Sequence, residues 1–288
     1  MKIGFIGLGI MGKPMVKNLI KAGEVVLVHS RTQASVDEVV ADGAIPSNIA
    51  EIGRECGMVI TMLPDGPDVE QVVLGAGGLL ENAKEGLILV DMSSIAPAIS
   101  QKIHDKCAEK GVKMLDAPVS GGQPGAINGT LSIMVGGDGD LFERVRPILL
   151  KMGASAVHCG EIGAGNTTKL ANNIIVAMNI AAVCEAFTLS TKAGVDAQKV
   201  FEAIKGGLAG SAVLNAKIPM ILDGNFNPGF KIDLHIKDLQ NAVNTGQEVG
   251  CPLPFTGQTI DIYRQLSKAG HGQKDHSGMW LYWNGANE

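Results

Sequence analysis

The sequence predicts an α/β domain with a parallel sheet, then an all-helical domain, the two joined by one long helix. Three observations predict this. Short apolar runs alternate with amphipathic segments through the first part of the chain. Strand signals stop after Cys159. A helical pattern then runs from about Asn166 to Lys192. The βαβα rhythm argues for parallel strands with helices on both faces.

The elements follow in order. Lys2–Ile6 reads as a strand, Met11–Ala22 as a helix, Val25–His29 as a strand and Ala34–Asp42 as a helix. Gly57–Met62, Leu87–Asp91 and Val112–Leu115 read as further strands, with Ala96–Lys110 a helix between the last two. Leu131–Val135 and Ser155–Cys159 are two more strands flanking the helix Leu141–Lys151. Gly160, Gly163 and Gly165 punctuate a turn before the long helix. There Leu170, Ile174, Met178 and Ala181 recur at spacings of three and four. That helix is apolar around much of its circumference, which predicts that it is largely buried. Shorter helices are expected near 197–205, 212–222, 233–249, 255–268 and 276–284, separated by Gly and Pro. The boundaries read as 1–162 for the α/β domain and 163–288 for the helical one.

Composition agrees and excludes other classes. The 288 residues suit two modest domains, and 45% hydrophobic content supplies their cores. The net charge is −5 and no Lys/Arg block occurs, which argues against a general nucleic-acid binder. Cys56, Cys107, Cys159, Cys184 and Cys251 are odd in number and lack C-x-x-C spacing. They read as core residues in a reducing compartment, with no disulfide framework and no metal site. The longest apolar run, Ile174 to Val183, is interrupted by Asn179 and too short to span a bilayer. No signal peptide is legible, so a cytoplasmic protein without a membrane partner is expected.

Gly7-Leu8-Gly9-Ile10-Met11-Gly12 matches G-x-G-x-x-G, and it lies between a strand and a helix with a second strand ending near His29. That context is what a Rossmann-type dinucleotide fingerprint requires. Gly7 allows the tight turn, Gly9 lets backbone approach a pyrophosphate, and Gly12 lets helix and strand pack closely. Free N–H groups at the helix start favour phosphates. An acid after the second strand would bind the ribose hydroxyls of NAD. Here the residues are Ser30-Arg31-Thr32, and Arg31 offers a guanidinium for a 2′-phosphate. NADP(H) is therefore favoured over NAD(H). Met62, Leu63 and Pro64 end one strand, and Asp91-Met92-Ser93-Ser94 the next, both at strand ends where such sheets bind ligands.

Ser120, Gly121 and Gly122 follow another strand; a hydroxyl and exposed backbone N–H groups there could hold a carboxylate, or form only a Ser-Gly turn. Lys169 is the sharpest single residue. With Asn166 and Asn173 it makes a polar stripe on an otherwise apolar helix. Its position near a helix N-terminus favours proton exchange, while a snorkelling Lys with capping Asn residues is the bland alternative. Gly270-His271-Gly272 with Asp275-His276-Ser277 is explained by a turn and helix cap. Trp280 and Trp283 are read as packing or an oligomer contact.

Taken together, the chain resembles the β-hydroxyacid dehydrogenase family over essentially its whole length. The blocks that carry the resemblance are Gly4 to Gly12, Asp116 to Gly122, Gly160 to Gly165 running on to Lys169 and Asn173, and Lys237-Asp238-Leu239. Gly206 to Ser211, Phe230 to Leu239 and Gly270 to Ser277 are similar to the members that reduce tartronate semialdehyde to D-glycerate. Ser30 departs from relatives that carry Asp, which leaves cofactor choice open and leans it to NADP(H). The resemblance implies that Lys169 and Asn173 are catalytic and that Ser120, Gly121 and Gly122 hold the substrate carboxylate. It places Ser94 on the cofactor, and Lys237 and Asp238 near the nicotinamide and the substrate. It also implies a small carboxylate-bearing aldehyde or hydroxy acid as partner and a homo-oligomer, dimer or tetramer. Relatives acting on methylmalonate or succinic semialdehyde, glyoxylate or hydroxymethylglutarate are the nearest alternatives. A non-catalytic nucleotide-binding protein is the alternative of a different class. Imine-reducing relatives usually replace the Lys, so Lys169 counts against them.

Overall fold

The computed structural model describes residues 2–285, and contacts divide the chain into two compact units, Met1–Lys169 and Leu170–Glu288. The first opens with strand β1 (Lys2–Ile6), helix α1 (Gly12–Lys21), β2 (Val25–His29) and α2 (Gln33–Val40). Next come β3 (Ile45–Pro46), α3 (Ile49–Glu55), β4 (Met58–Thr61), α4 (Gly66–Leu74), β5 (Ile88–Asp91), α5 (Pro97–Ala108) and β6 (Lys113–Asp116). The unit finishes with β7 (Val119–Ser120), α6 (Gly122–Asn128), β8 (Leu131–Gly136), α7 (Gly139–Leu149), β9 (Gly153–Gly160) and the start of α8 (Ala164–Lys192).

The strands form one sheet in the order β3-β2-β1-β4-β5-β6-β8-β7, with β9 on β8. From β3 to β6 every pairing is parallel. Alternate residues feed opposite cores. Ile3, Phe5, Val26, Val28, Met58 and Ile60 enter one cluster, and Ile6, Leu27, Val59 and Leu89 enter the other. Burial on both faces explains why these strands read as unbroken apolar runs.

The far edge departs from the expected all-parallel sheet. β8 runs antiparallel to β6 and β7, and β9 is parallel to β8. A parallel return needs a long crossover, and residues 117–130 are taken up by β7 and the seven-residue α6. Ser120 to Gly122 is thus a strand end that turns straight into a helix, and not an open loop. The short α3 and α4 are also unanticipated; their N-caps, Asn48 and Asp65, accept from Glu51 N and Gly66 N.

The second unit carries the rest of α8, then α9 (Ala197–Ile204), α10 (Ala212–Leu222), α11 (Ile232–Glu248) and α12 (Pro254–Leu266). A 3-10 turn (His276–Trp280) and α13 (Leu281–Asn284) follow. Ala177, Ile180, Cys184 and Phe187 of α8 share a core with Ile218, Leu239, Ile260 and Tyr263, and Trp280 and Trp283 pack against it.

Two expectations for α8 are corrected. It is not largely buried: Ile175 is 62% and Leu189 72% exposed. It is also long and apolar enough to cross a membrane by length and composition, because one Asn among Ala, Ile and Val does not break a 29-residue helix. One face of it, through Ala177, Ile180, Cys184 and Phe187, is buried in the helical core.

Candidate active site

Strand β1 lies between β2 and β4, so the order of strands reverses there. Ligands of open α/β sheets bind outside the carboxyl ends of the strands at such a point. Three glycines shape the backbone at that end. Gly7 takes φ +106°, its N–H donates to the His29 carbonyl at 3.0 Å, and a Cβ there would strike the Met62 carbonyl oxygen. A Cβ on Gly12 would strike the Gly7 carbonyl oxygen. At Gly9 a Cβ would meet nothing within 4 Å. The chain is therefore closed around Gly7 and Gly12 and open at Gly9, where a pyrophosphate must approach. The residues present fit a dinucleotide on this geometric ground.

At the end of β2, Ser30 Oγ accepts from Thr32 N at 3.4 Å. The Arg31 side chain is 83% exposed, with its guanidinium 3.4 Å from the Asp68 carboxylate. Such an exposed pair is weak and readily exchanged for another anion.

Behind these loops lies a buried polar hub that sequence reasoning missed. Thr61, Asp91 and Asp116 stand in register at the ends of β4, β5 and β6, all buried. Asp91 Oδ1 accepts from Thr61 Oγ1 at 2.7 Å and from Ser93 N at 3.2 Å. Ser93 Oγ in turn accepts from Leu63 N at 2.9 Å. This chain ties the Met62–Pro64 loop to the loop carrying Ser94. Burial pushes the Asp91 carboxyl up to about 6, against the pull of its Ser93 and Thr61 hydrogen bonds.

Asp116 anchors the long helix. Its two carboxylate oxygens accept from Gly163 N and Asn166 N, both at 2.7 Å, and burial raises its pKa. Asn166 Oδ1 accepts from Ile95 N at 3.1 Å, and its Nδ2 donates to Ser100 Oγ at 3.0 Å. Asn166 therefore belongs to this anchor. The available signal was an Asp closing each of two apolar strands, where a buried carboxylate must find donors.

Lys169, half-buried, is one turn beyond this anchor on α8. Ser120 ends β7, opposite Ser132, and Gly121 (φ +132°) and Gly122 (φ +59°) lead into α6, whose first-turn N–H groups have no intrahelical acceptor. Asn173 lies one turn past Lys169 on the same helix, in the second unit, and is 4% exposed. Its Nδ2 donates to Asp238 Oδ2 at 2.6 Å. The other Asp238 oxygen pairs with Lys237 Nζ at 2.9 Å. The structure thus joins Asn173 and Asp238, both buried, with the half-buried Lys237 in one polar group. Among the described residues, no three His, Cys, Asp or Glu side chains are grouped to hold a metal.

Comparison with known proteins shows what the whole chain is similar to. Residues 2–160 match the family described as the NAD binding domain of 6-phosphogluconate dehydrogenase. Residues 163–283 match the family described as NAD-binding of NADP-dependent 3-hydroxyisobutyrate dehydrogenase. The chain is 42% identical to 2-hydroxy-3-oxopropionate reductase of Escherichia coli (strain K12), over 97% of this chain and 96% of that one. It is 40% identical to 2-(hydroxymethyl)glutarate dehydrogenase of Eubacterium barkeri, over 98% and 94%. A solved structure of Mycobacterium tuberculosis 3-hydroxyisobutyrate dehydrogenase with L-serine is similar at a TM-score of 0.90 and 33% identity, covering 98% and 99%.

Proposed function

The chain belongs to the β-hydroxyacid dehydrogenase family, as a nicotinamide-dependent oxidoreductase, and from that premise we propose that it reduces tartronate semialdehyde to D-glycerate with NADPH. The observation that carries the substrate is the 42% identity, over nearly the whole of both chains, to a 2-hydroxy-3-oxopropionate reductase. The blocks around Gly206 to Ser211 and Phe230 to Leu239 agree with that subgroup. The cofactor preference rests on Arg31, an exposed guanidinium at the end of a strand that carries no acid.

When bound, the nicotinamide supplies the hydride that reduces the aldehyde carbon. Gly7 to Gly12 would hold the pyrophosphate of the dinucleotide, and Met62 to Pro64 with Ser94 would line the nicotinamide end. Ser120, Gly121 and Gly122 hold the substrate carboxylate through a hydroxyl and backbone N–H groups, which orients the carbonyl for attack. Lys169 Nζ gives a proton to the alkoxide oxygen as negative charge develops there, and takes it back from the hydroxyl in the reverse direction. Asn173 orients the reacting group, with Asp238 and Lys237 behind it. The exposed Ile175 and Leu189 of α8 suit a homo-oligomer built through the helical unit.

The test is kcat/KM of purified protein on tartronate, methylmalonate and succinic semialdehydes and glyoxylate, each with NADPH and NADH. Preference for tartronate semialdehyde is expected. Turnover confined to methylmalonate semialdehyde would move the activity to that of a 3-hydroxyisobutyrate dehydrogenase.

A further inference from the structure

Two buried histidines stand behind Asn173. His235 on α11 is fully buried, and His276 at the start of the 3-10 turn is 6% exposed. Their Nδ1 atoms are 3.1 Å apart, and His235 Nε2 is 3.3 Å from the Asn173 carbonyl oxygen. A carbonyl only accepts, so His235 Nε2 carries the proton of that bond. In the neutral ring His235 Nδ1 is then an acceptor, and the proton between the rings belongs to His276 Nδ1.

His276 is itself braced. Tyr263 donates from its hydroxyl to the His276 carbonyl at 3.1 Å. The neighbouring Asp275 takes Lys217 Nζ at 2.9 Å and the N–H of Ser277 at 3.0 Å. Phe230 lies edge-on to both imidazoles. The consequence falls on Asn173. Its carbonyl is met by His235 and its amide by Asp238, two residues one turn apart on α11. Its Oδ1 accepts from Asn172 Nδ2 at 2.9 Å. A mid-helix carbonyl already has its intrahelical donor, so satisfying that oxygen does not call for an imidazole. Two buried imidazoles also cost more than apolar side chains of the same size. The pair is therefore explained by what it holds in place.

We propose that His235 and His276 are positioning residues for Asn173, with the proton on His276 Nδ1 fixing the tautomer through which His235 and Asp238 together set Asn173. This rests on the reading that Asn173 meets the substrate.

The test uses the full-length enzyme, tartronate semialdehyde and NADPH, with the variants His276→Leu, His276→Asn and Asn173→Ala. An Asn amide nitrogen stands where His Nδ1 stands, so His276→Asn keeps the donor that His276→Leu removes. Misplacement of a reacting group is expected to lower kcat roughly ten- to a hundredfold in His276→Leu. His276→Asn should recover most of that loss, and the NADPH Kd should be the same in all variants. A purely structural role would lower the melting temperature of both His276 variants and leave kcat alone. Wild-type kcat in folded His276→Leu, with kcat lost in Asn173→Ala, overturns the positioning role only. Wild-type kcat in Asn173→Ala overturns the substrate role of Asn173 and this inference with it. Nitrogen-15 NMR of the wild-type enzyme tests the tautomers even if His276→Leu does not fold: protons on His276 Nδ1 and His235 Nε2 are expected, and the reverse assignment overturns the proposal.

Discussion

Replacing Asp91 with Asn should change how stability depends on pH, and the sign follows from burial. The Asp91 carboxyl is fully buried and sits at about 6, against 3.8 for the unperturbed group. The folded protein therefore holds this proton more tightly than the unfolded chain does. Between about pH 4 and pH 6 the folded state carries the proton and the unfolded state does not. Stability from this group is fully present below the unfolded value and falls as pH rises through that window. The shift is about 2 units at ~1.4 kcal/mol each, so the group costs about 3 kcal/mol at neutral pH relative to its protonated form. The amide that replaces it cannot titrate. The stability of Asp91→Asn minus that of the parent should therefore rise by about 3 kcal/mol between pH 3 and pH 7. An amide also offers an oxygen to Thr61 and Ser93, so the acceptor at the hub is kept. Urea unfolding of both proteins at intervals across that range measures the difference. A difference that stays flat would show that the carboxyl is not held up by burial, and the account of the hub would fail.

Three further outcomes are expected. Lys169→Ala should lower kcat by roughly 10²- to 10⁴-fold, the usual worth of a general acid, while NADPH still binds; near-normal turnover would remove Lys169 from the chemistry. Arg31→Ala should lower kcat/KM with NADPH by roughly ten- to a hundredfold, the worth of hydrogen bonds to a charged group, and spare NADH; an unchanged NADPH/NADH ratio would refute the role of Arg31. Gly9→Ala and Gly12→Ala should separate by melting temperature and NADPH titration. The Cβ at Gly9 meets nothing, so that variant should fold normally and bind NADPH more weakly. The Cβ at Gly12 meets backbone, so that variant should lose about 1–3 kcal/mol of stability. Equal melting of the two would contradict the packing at Gly12.

Much of the α/β half was legible because its signals are local. Val25–His29 is a strand with the bounds its apolar run suggests, and G-x-G-x-x-G sits between a strand and a helix as the pattern demands. The sheet edge was less legible. The antiparallel turn of β8 depends on how far the chain between β6 and β8 can reach, which hydrophobic period does not encode. At α8 the apolar composition was plain, but which face is covered depends on partner helices far away in sequence. Ala177 and Phe187 are buried there while Ile175 and Leu189 are not.

By itself the sequence determined where backbone must bend tightly and which chemistry-bearing residues stand near strand ends and on the long helix. Gly7, Arg31, Ser120, Lys169 and Asn173 are all named by residue type and local spacing. Only the tertiary structure decided which polar groups hold the others in place. Asp91 joins loops from two strands, Asp116 fixes the start of α8, and His276 reaches His235 across forty-one positions of chain. A hydrogen bond between residues far apart in sequence leaves no periodicity to read. It arises because burial removes water, and each buried donor or acceptor must then find its partner wherever the fold brings one within reach.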